Sequence, residues 1–208
     1  MENDVTDAAF WDDRYRSVET DWSGEPNAQV VVELTGIAPA RALDVACGEG
    51  MDAIWLAARG WHVTATDISA VALERNSKID IRAEVMERID WFQADLITWT
   101  PPVASFDLVT AQFLHLPPVI REAVFRKLAA AVKPAGTLLI VGHHPSDLQT
   151  TITRPPLPEL FYTAEDVAAL LEPNRWDTIV AAARPRNATD SKGNSVTIHD
   201  AVLRAQRR

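Results

Sequence analysis

Cysteine is almost missing from this chain: Cys47 stands alone among 208 residues. One cysteine forms no internal disulfide and builds no cysteine-rich zinc site, so neither a stapled fold nor a metal centre is expected. Long apolar runs are missing too. Stretches such as Leu138–Val141 fall far short of the roughly 20 residues that a membrane-spanning helix needs. The opening residues Met1-Glu-Asn-Asp-Val-Thr-Asp7 are acidic and polar and do not read as a secretory signal, so the expectation is a cytoplasmic protein without a membrane partner. Basic side chains are outnumbered: 20 Lys and Arg against 29 Asp and Glu leave a formal charge of −9. Neutralising phosphates takes clustered cations, and this balance argues against nucleic acid as a partner. No repeat and no low-complexity tract is present. What is there is ordinary for a globular protein, 47% hydrophobic and 24% charged. A chain of this length buries about 70% of its surface on folding, enough for a core without staples.

From Ala40 onward, short apolar runs alternate with helix-like stretches. Ala42–Cys47, Trp61–Thr66, Ile89–Gln93, Phe106–Ala111 and Thr137–Val141 read as strands. Between them, Met51–Arg59 reads as a helix closed by Gly60, and Ser69 as the N-cap of a helix that starts at Ala70 and runs loosely to about Glu87. Pro118–Val132 is a further helix. Such alternation predicts an α/β fold with a mainly parallel sheet and helices on both faces, because parallel strands are buried on both sides and read as continuous apolar runs. The last third predicts a helix over Tyr162–Leu171 opened by Thr163, then strands Thr178–Ala183 and Ser195–Leu203 joined by a polar link at 184–194. That pattern suits an antiparallel hairpin at the sheet's edge. Ahead of the first strand, Trp11, Tyr15 and Val18 share one helical face within Asp7–Val18, and Asp12 and Arg16 can pair at i, i+4. No domain boundary is visible, so 1–208 is read as one domain: a helical cap over 1–39 and a Rossmann-like core over 40–208.

Ala46-Cys-Gly48-Glu-Gly50 sits where the first strand turns into a helix. Glycines there let the chain turn sharply and let a ligand approach the backbone, and the free N–H groups of the helix start favour an anionic or polar group. Asp67 ends the second strand, 19 residues after Gly48, close to the spacing of roughly 20 at which a carboxylate accepts from ribose hydroxyls. Asp95 ends the third strand. Acids at the same end of neighbouring strands point to a nucleoside pocket. Gly48-x-Gly50-x-x-Ala53 also fits the dinucleotide pattern, so the glycines alone leave the nucleotide class open.

The run Ala42-Leu-Asp-Val-Ala-Cys-Gly-Glu-Gly50, followed by Thr66-Asp67-Ile68-Ser69, resembles the class I S-adenosylmethionine-dependent methyltransferases. The resemblance continues through Ala94-Asp95-Leu96, Phe106-Asp107-Leu108-Val109 and Lys133-Pro134-Ala135-Gly136-Thr137. Phe10-Trp-Asp-Asp-Arg-Tyr15 and Trp22-Ser-Gly-Glu-Pro-Asn27 are similar to the small thiopurine- and tellurite-resistance-type branch. The resemblance implies a seven-stranded sheet with the last strand antiparallel, S-adenosylmethionine as cofactor and a small-molecule acceptor. It also implies roles. Ala46, Cys47, Gly48 and Gly50 would line the methionine part, with Asp44 near its amino group. Asp67 would hold the ribose, Ile68 would lie against the adenine, and Asp95 and Leu96 would meet the adenine edge. Gln112 would face the methionine end, and Arg14 and Trp22 would cover the cofactor. Ala46 and Ala135 stand where that family commonly has glycine.

Methyl transfer from a sulfonium needs in-line alignment more than acid or base help, and no metal. Where the acceptor carries a proton, a base contributes, and three histidines fall at the carboxyl end of the sheet: His115 after the fourth strand, His143 and His144 after the fifth. Each suits base or substrate contact. The branch resemblance implies a thiol or a chalcogen oxyanion as the acceptor, and the proline-rich segment 143–161 is expected to shape its pocket. A nicotinamide-dependent reductase on a similar sheet, a non-catalytic S-adenosylmethionine-binding protein and a nucleic-acid methyltransferase are the alternatives.

Overall fold

The structure, a computed structural model, describes residues 6–17, 25–76 and 81–208. Five strands pair in parallel: β1 (Arg41–Val45), β2 (His62–Asp67), β3 (Ile89–Gln93), β4 (Phe106–Gln112) and β5 (Val132–His143). A hairpin of β6 (Trp176–Thr189) and β7 (Ser195–Arg207) completes the sheet, and β7 runs antiparallel to both β5 and β6. The spatial order is β3-β2-β1-β4-β5-β7-β6. Winding reverses between β1 and β4, so the carboxyl ends of those two strands flank the crevice where open α/β sheets take their ligands.

Helices α1 (Ala8–Ser17), α2 (Ala28–Leu34), α3 (Met51–Ala58), α4 (Ala70–Asn76), α5 (Ala83–Met86), α6 (Pro118–Ala131) and α7 (Ala164–Ala168) surround the sheet. Successive residues of β5 feed two separate cores. Leu138 and Ile140 pack with Phe125, Leu128 and Tyr162 on one face, while Leu139 and Val141 pack with Val30, Leu56 and Trp61 on the other. The period-2 alternation of a strand thus serves two apolar faces, which is why these strands read as unbroken apolar runs.

Several boundaries differ from the sequence reading, each for a physical reason. The polar stretch predicted as a link is mostly strand. β6 continues through Arg184–Thr189 because register pairs it residue by residue with β7, Arg184 opposite Asp200 and Arg186 opposite Ile198. The turn itself is short and is organised by Asp190, whose Oδ1 accepts from the Lys192 and Asn194 N–H groups at 2.9 Å. The helix after Thr163 is shorter than expected but keeps its cap: Thr163 and Asp166 form a reciprocal capping box. Ser69 caps α4 as predicted, its Oγ accepting from Ala72 N–H at 3.1 Å; residues 77–80 of the predicted stretch lie outside the described residues, and Ile81 and Arg82 precede α5 without helical structure. The cap helix α1 starts with Asp7 accepting from Ala9 N–H at 3.0 Å, while Val18 lies outside the described residues. Arg16 reaches both predicted and unpredicted partners, Asp12 at 3.7 Å and Asp13 at 2.9 Å. Helix α2 was not predicted. Its buried Glu33 pairs with Arg184 and Arg204, fastening the cap region to the hairpin.

Ala46 and Ala135, which stand where the family resembled commonly has glycine, both adopt the left-handed conformation, at φ 51° and φ 64°. A side chain there costs roughly 1–2 kcal/mol, offset in part by the greater unfolded-state entropy of glycine, about 0.4–1 kcal/mol. Ala135 is exposed and packs against little. We expect Ala135→Gly to stabilise the protein by about 0.5–1 kcal/mol on that balance. Thermal unfolding should then show a midpoint roughly 1–4 °C higher.

Candidate active site

Main-chain bonds draw the carboxyl ends of β1, β2 and β3 together. Cys47 N–H donates to Thr66 O at 3.1 Å, and Ala94 N–H to Asp67 O at 2.9 Å. The Asp67 carboxylate spans the gap between them: Oδ2 accepts from Gly48 N–H and Oδ1 from Ser69 N–H, each at 2.8 Å. Burial raises its pKa against the pull of those N–H groups. Asp95 organises the next turn, accepting from Ile97 N–H at 2.8 Å and from the Thr98 hydroxyl at 3.2 Å. Gly48, Asp67 and Asp95 therefore meet at one place.

The two glycines have different causes. Gly48 is left-handed at φ 55°, and the Tyr15 hydroxyl lies 2.8 Å from where a Cβ would stand. Gly50 at φ 86° is pressed by the Trp91 ring, whose nearest atom would be 2.2 Å from a Cβ. Packing as well as ligand approach thus demands them. Above the loop, α1 is clamped in position. Asp12 Oδ1 accepts from the Ser69 hydroxyl at 2.6 Å and from Val71 N–H at 3.2 Å, at the start of α4. The Ser69 bond foremost holds the Asp12 carboxyl below its usual range. From the other side, Arg75 reaches Glu49 at 2.5 Å and the Tyr15 carbonyl.

These parts enclose a cleft of about 1570 Å³. One-ligand pockets run to roughly 300–1,000 Å³, so this space admits two ligands side by side. Arg14, Ala46, Cys47, Gly48, Gly50, Asp67, Ile68, Asp95, Leu96 and Gln112 all line it. Asp44 does not; it lies directly behind the loop, 1% exposed. Trp22 lies outside the described residues. Neither carboxylate oxygen of Asp44 has a hydrogen-bond partner. Burial, then the charges of Asp52 and Asp67, raise its pKa well above the usual range. A buried acid left bare beside a cleft calls for a cationic partner. S-adenosylmethionine brings an ammonium group, so the residues present fit that cofactor. Cys47 lines the cleft, but burial pushes its thiol pKa up, away from a reactive thiolate.

The far end of the cleft is aromatic. Phe113, itself left-handed at φ 53°, stacks on His143 at 4.5 Å between ring centres, and His143 stacks on His115 at 4.8 Å. Phe161 and Tyr162 close the group at 5.9 and 5.7 Å from His115. His143 N–H donates to His115 Nε2 at 3.1 Å, which assigns the hydrogen of a neutral His115 ring to Nδ1. Burial lowers the His115 pKa to about 4, and burial with the neighbouring His115, Arg154 and Arg186 lowers that of His143 to about 2. Both imidazoles are neutral at pH 7. His144 is not brought to the cleft. It caps the following 3₁₀ turn (Pro145–Gln149), its Nδ1 accepting from Ser146 N–H at 3.2 Å. The proline-rich segment is held by buried Asp147, which binds Arg154 at 2.7 Å and accepts from His199 N–H at 2.9 Å. No group of three or more His, Cys, Asp or Glu suited to a metal occurs among the described residues.

Sequence reasoning missed Asp52, Arg154, Phe161 and Arg186, all of which line the cleft. Asp52 reads as an ordinary first-turn acid favoured by the helix dipole, and Arg186 fell in the stretch taken for a link. A second acid two residues beyond Gly50 was the available signal.

Residues 42–136 match the methyltransferase domain family. That match takes in the glycine loop and the carboxyl ends of β1 to β4. Among similar proteins, 27-O-demethylrifamycin SV methyltransferase of Amycolatopsis mediterranei is 34% identical over 137 residues, 63% of this chain and 48% of that protein. Probable thiol methyltransferase 2 of Arabidopsis thaliana is 28% identical over 134 residues, 62% of this chain and 59% of that protein. The chain spans about half the length of the curated relatives it matches. A solved structure from work on the conversion of a disulfide bond into a thioacetal group during echinomycin biosynthesis shares the fold. Its TM-score is 0.73 at 20% identity, over 96% of this chain and 92% of that one. Among the described residues, no helix is long and apolar enough to cross a membrane.

The glycine loop yields a direct test. Gly50→Ala sets a Cβ into the Trp91 ring and strains the backbone, so we expect a loss of about 2–5 kcal/mol from overpacking and left-handed strain combined. Denaturant unfolding measures it.

Proposed function

We propose that this protein transfers the methyl group of S-adenosylmethionine to a small molecule presenting a soft nucleophile, a thiol or a chalcogen oxyanion. The observation that carries this reading is the division of one cleft into two ends, glycine loop and acids at one, a neutral aromatic and imidazole wall at the other. The cofactor supplies a methyl carbon activated by a sulfonium.

In this reading Asp67 accepts from the ribose hydroxyls, Ile68 and Leu96 flank the adenine, and Asp95 meets its edge. Ala46 to Gly50 hold the methionine part, with Asp44 toward its ammonium, Gln112 facing the same end, and Arg14 and Trp22 above. His115 and His143 serve as acceptor contacts rather than bases: the Nε2 lone pair of His115 is engaged by His143 N–H, and both rings are poor proton acceptors at neutral pH. A thiol with an ordinary pKa near 8.5 is partly ionised without help, and alignment alone supplies roughly 7–11 kcal/mol of a barrier. The names of the thiol methyltransferase relative and of the disulfide-to-thioacetal structure support sulfur as the acceptor atom. The N-terminal resemblance supports the thiopurine- and tellurite-resistance-type branch, with residues 1–39 as a cap on a 40–208 core in one domain.

The test is S-adenosylhomocysteine release across thiols, phenols, amines, carboxylates, tellurite and selenite. We expect turnover with thiols or the chalcogen oxyanions; release with amines or carboxylates alone overturns the acceptor class, and release with nothing leaves a binding protein. Asp67→Ala should weaken S-adenosylmethionine binding by roughly ten- to a hundred-fold in calorimetry, the range of a charge-assisted hydrogen bond. His115→Ala should slow turnover with cofactor affinity intact.

A further inference from the structure

Asp52 is the second residue of α3, immediately after the glycine loop, and lines the cleft that Asp44 backs. Its Oδ1 accepts from the main-chain N–H of Asn27 at 2.7 Å, where the chain leaves the cap and enters α2. Among the described residues its other oxygen has no donor, and no ion pair involves either Asp52 or Asp44. The surroundings are otherwise accounted for. Asp67 is held by two N–H groups, Glu49 is paired with Arg75, Cys47 is a neutral thiol, and Tyr15 is a neutral phenol whose ring and carbonyl lie against Arg75. What stays uncompensated is a pair of carboxyls, one fully buried, beside the part of the cleft assigned to the methionine end.

We propose that Asp52 joins Asp44 in a two-carboxyl seat for the ammonium group of the cofactor, with Asn27 fixing how Asp52 faces it. This rests on S-adenosylmethionine being the cofactor and goes beyond the single acid the family resemblance implies. The electrostatics agree. Burial raises Asp52 to about 6, and burial, then the charges of Asp52 and Asp67, hold Asp44 well above the usual carboxylate range. Raised carboxyl pKa values mean that the empty pair keeps a proton as pH falls toward 6 and is strained by repulsion above it. An arriving cation favours the ionised forms, lowers both pKa values and expels the proton. Affinity must then rise as pH increases from 5 to 7, and flatten above the pKa of the empty pair.

Calorimetry with S-adenosylhomocysteine, which keeps the ammonium, and with 5′-methylthioadenosine, which lacks the amino-acid end, separates this role from a structural one. For Asp52→Asn, which can still accept from Asn27, we expect affinity for S-adenosylhomocysteine at pH 7.5 to fall by roughly ten- to a hundred-fold. Affinity for methylthioadenosine should stay unchanged, and the melting temperature of the cofactor-free variant should be equal or higher, since a repelled charge is gone. Proton release on binding near pH 6, read from heats in two buffers of different ionisation enthalpy, should be smaller than in the wild type. Equal weakening of both ligands would make Asp52 a mere prop for the cap, and no weakening of either would also overturn the seat. A wild-type protein that binds neither ligand would instead sink the cofactor reading beneath it.

Discussion

One carboxylate accepting two main-chain N–H groups is the constraint on which the site depends. Asp67 stands at the end of β2 and binds Gly48 across to the β1 loop and Ser69 at the start of α4. Ser69 in turn takes Asp12 from the cap helix. A single side chain thereby sets the spacing of two strand ends, the entry of a helix and the seating of the segment above. In a low-dielectric setting such charge-assisted bonds are strong, and an unpaired member would be costly. The cleft owes its shape to this junction as much as to the sheet below it.

Charge is sorted along the cleft. Carboxyls gather around the glycine loop, where Asp44, Asp52 and Asp67 raise one another's pKa values or are raised by burial. At the other end the arginines are held by acids already, Arg154 by Asp147 and Arg186 by Asp200, and burial foremost keeps the stacked imidazoles neutral, with the nearby arginines adding to it. A cation is favoured at one end and an uncharged or anionic group at the other, which is the polarity that transfer from a sulfonium to an electron-rich acceptor requires.

Much of this could be read from the chain. Strands buried on both faces have no polar side to show, so Ala42–Cys47 and Trp61–Thr66 stood out; the edge strand Ile89–Gln93 is only partly buried but keeps an apolar centre, and acids closing such runs pointed to the strand ends. Other features depend on partners remote in sequence. Arg184–Thr189 is polar yet forms strand because β7 lies beside it. His143 and His144 are chemically alike, but the strand ends between them and only the first enters the cleft. Asp52 reads as a helix-start acid until Asp44 is found bare behind it. The left-handed backbone of Ala46 and Phe113 has no signature in residue type at all, since neither is glycine or asparagine.

The placement of β7 between β5 and β6 has a consequence for how the chain matures. β5 holds the apolar run Leu138–Val141, and the strand that covers its free edge is the later arm of the hairpin, not the earlier one. During vectorial synthesis the edge of β5 stays uncovered until residues 195–207 have emerged, and the two cores on its faces lack Val202, Leu203 and Ala205 until then. An exposed apolar edge recruits foreign strands, so a chain lacking β7 would present β5 to non-native strand pairing.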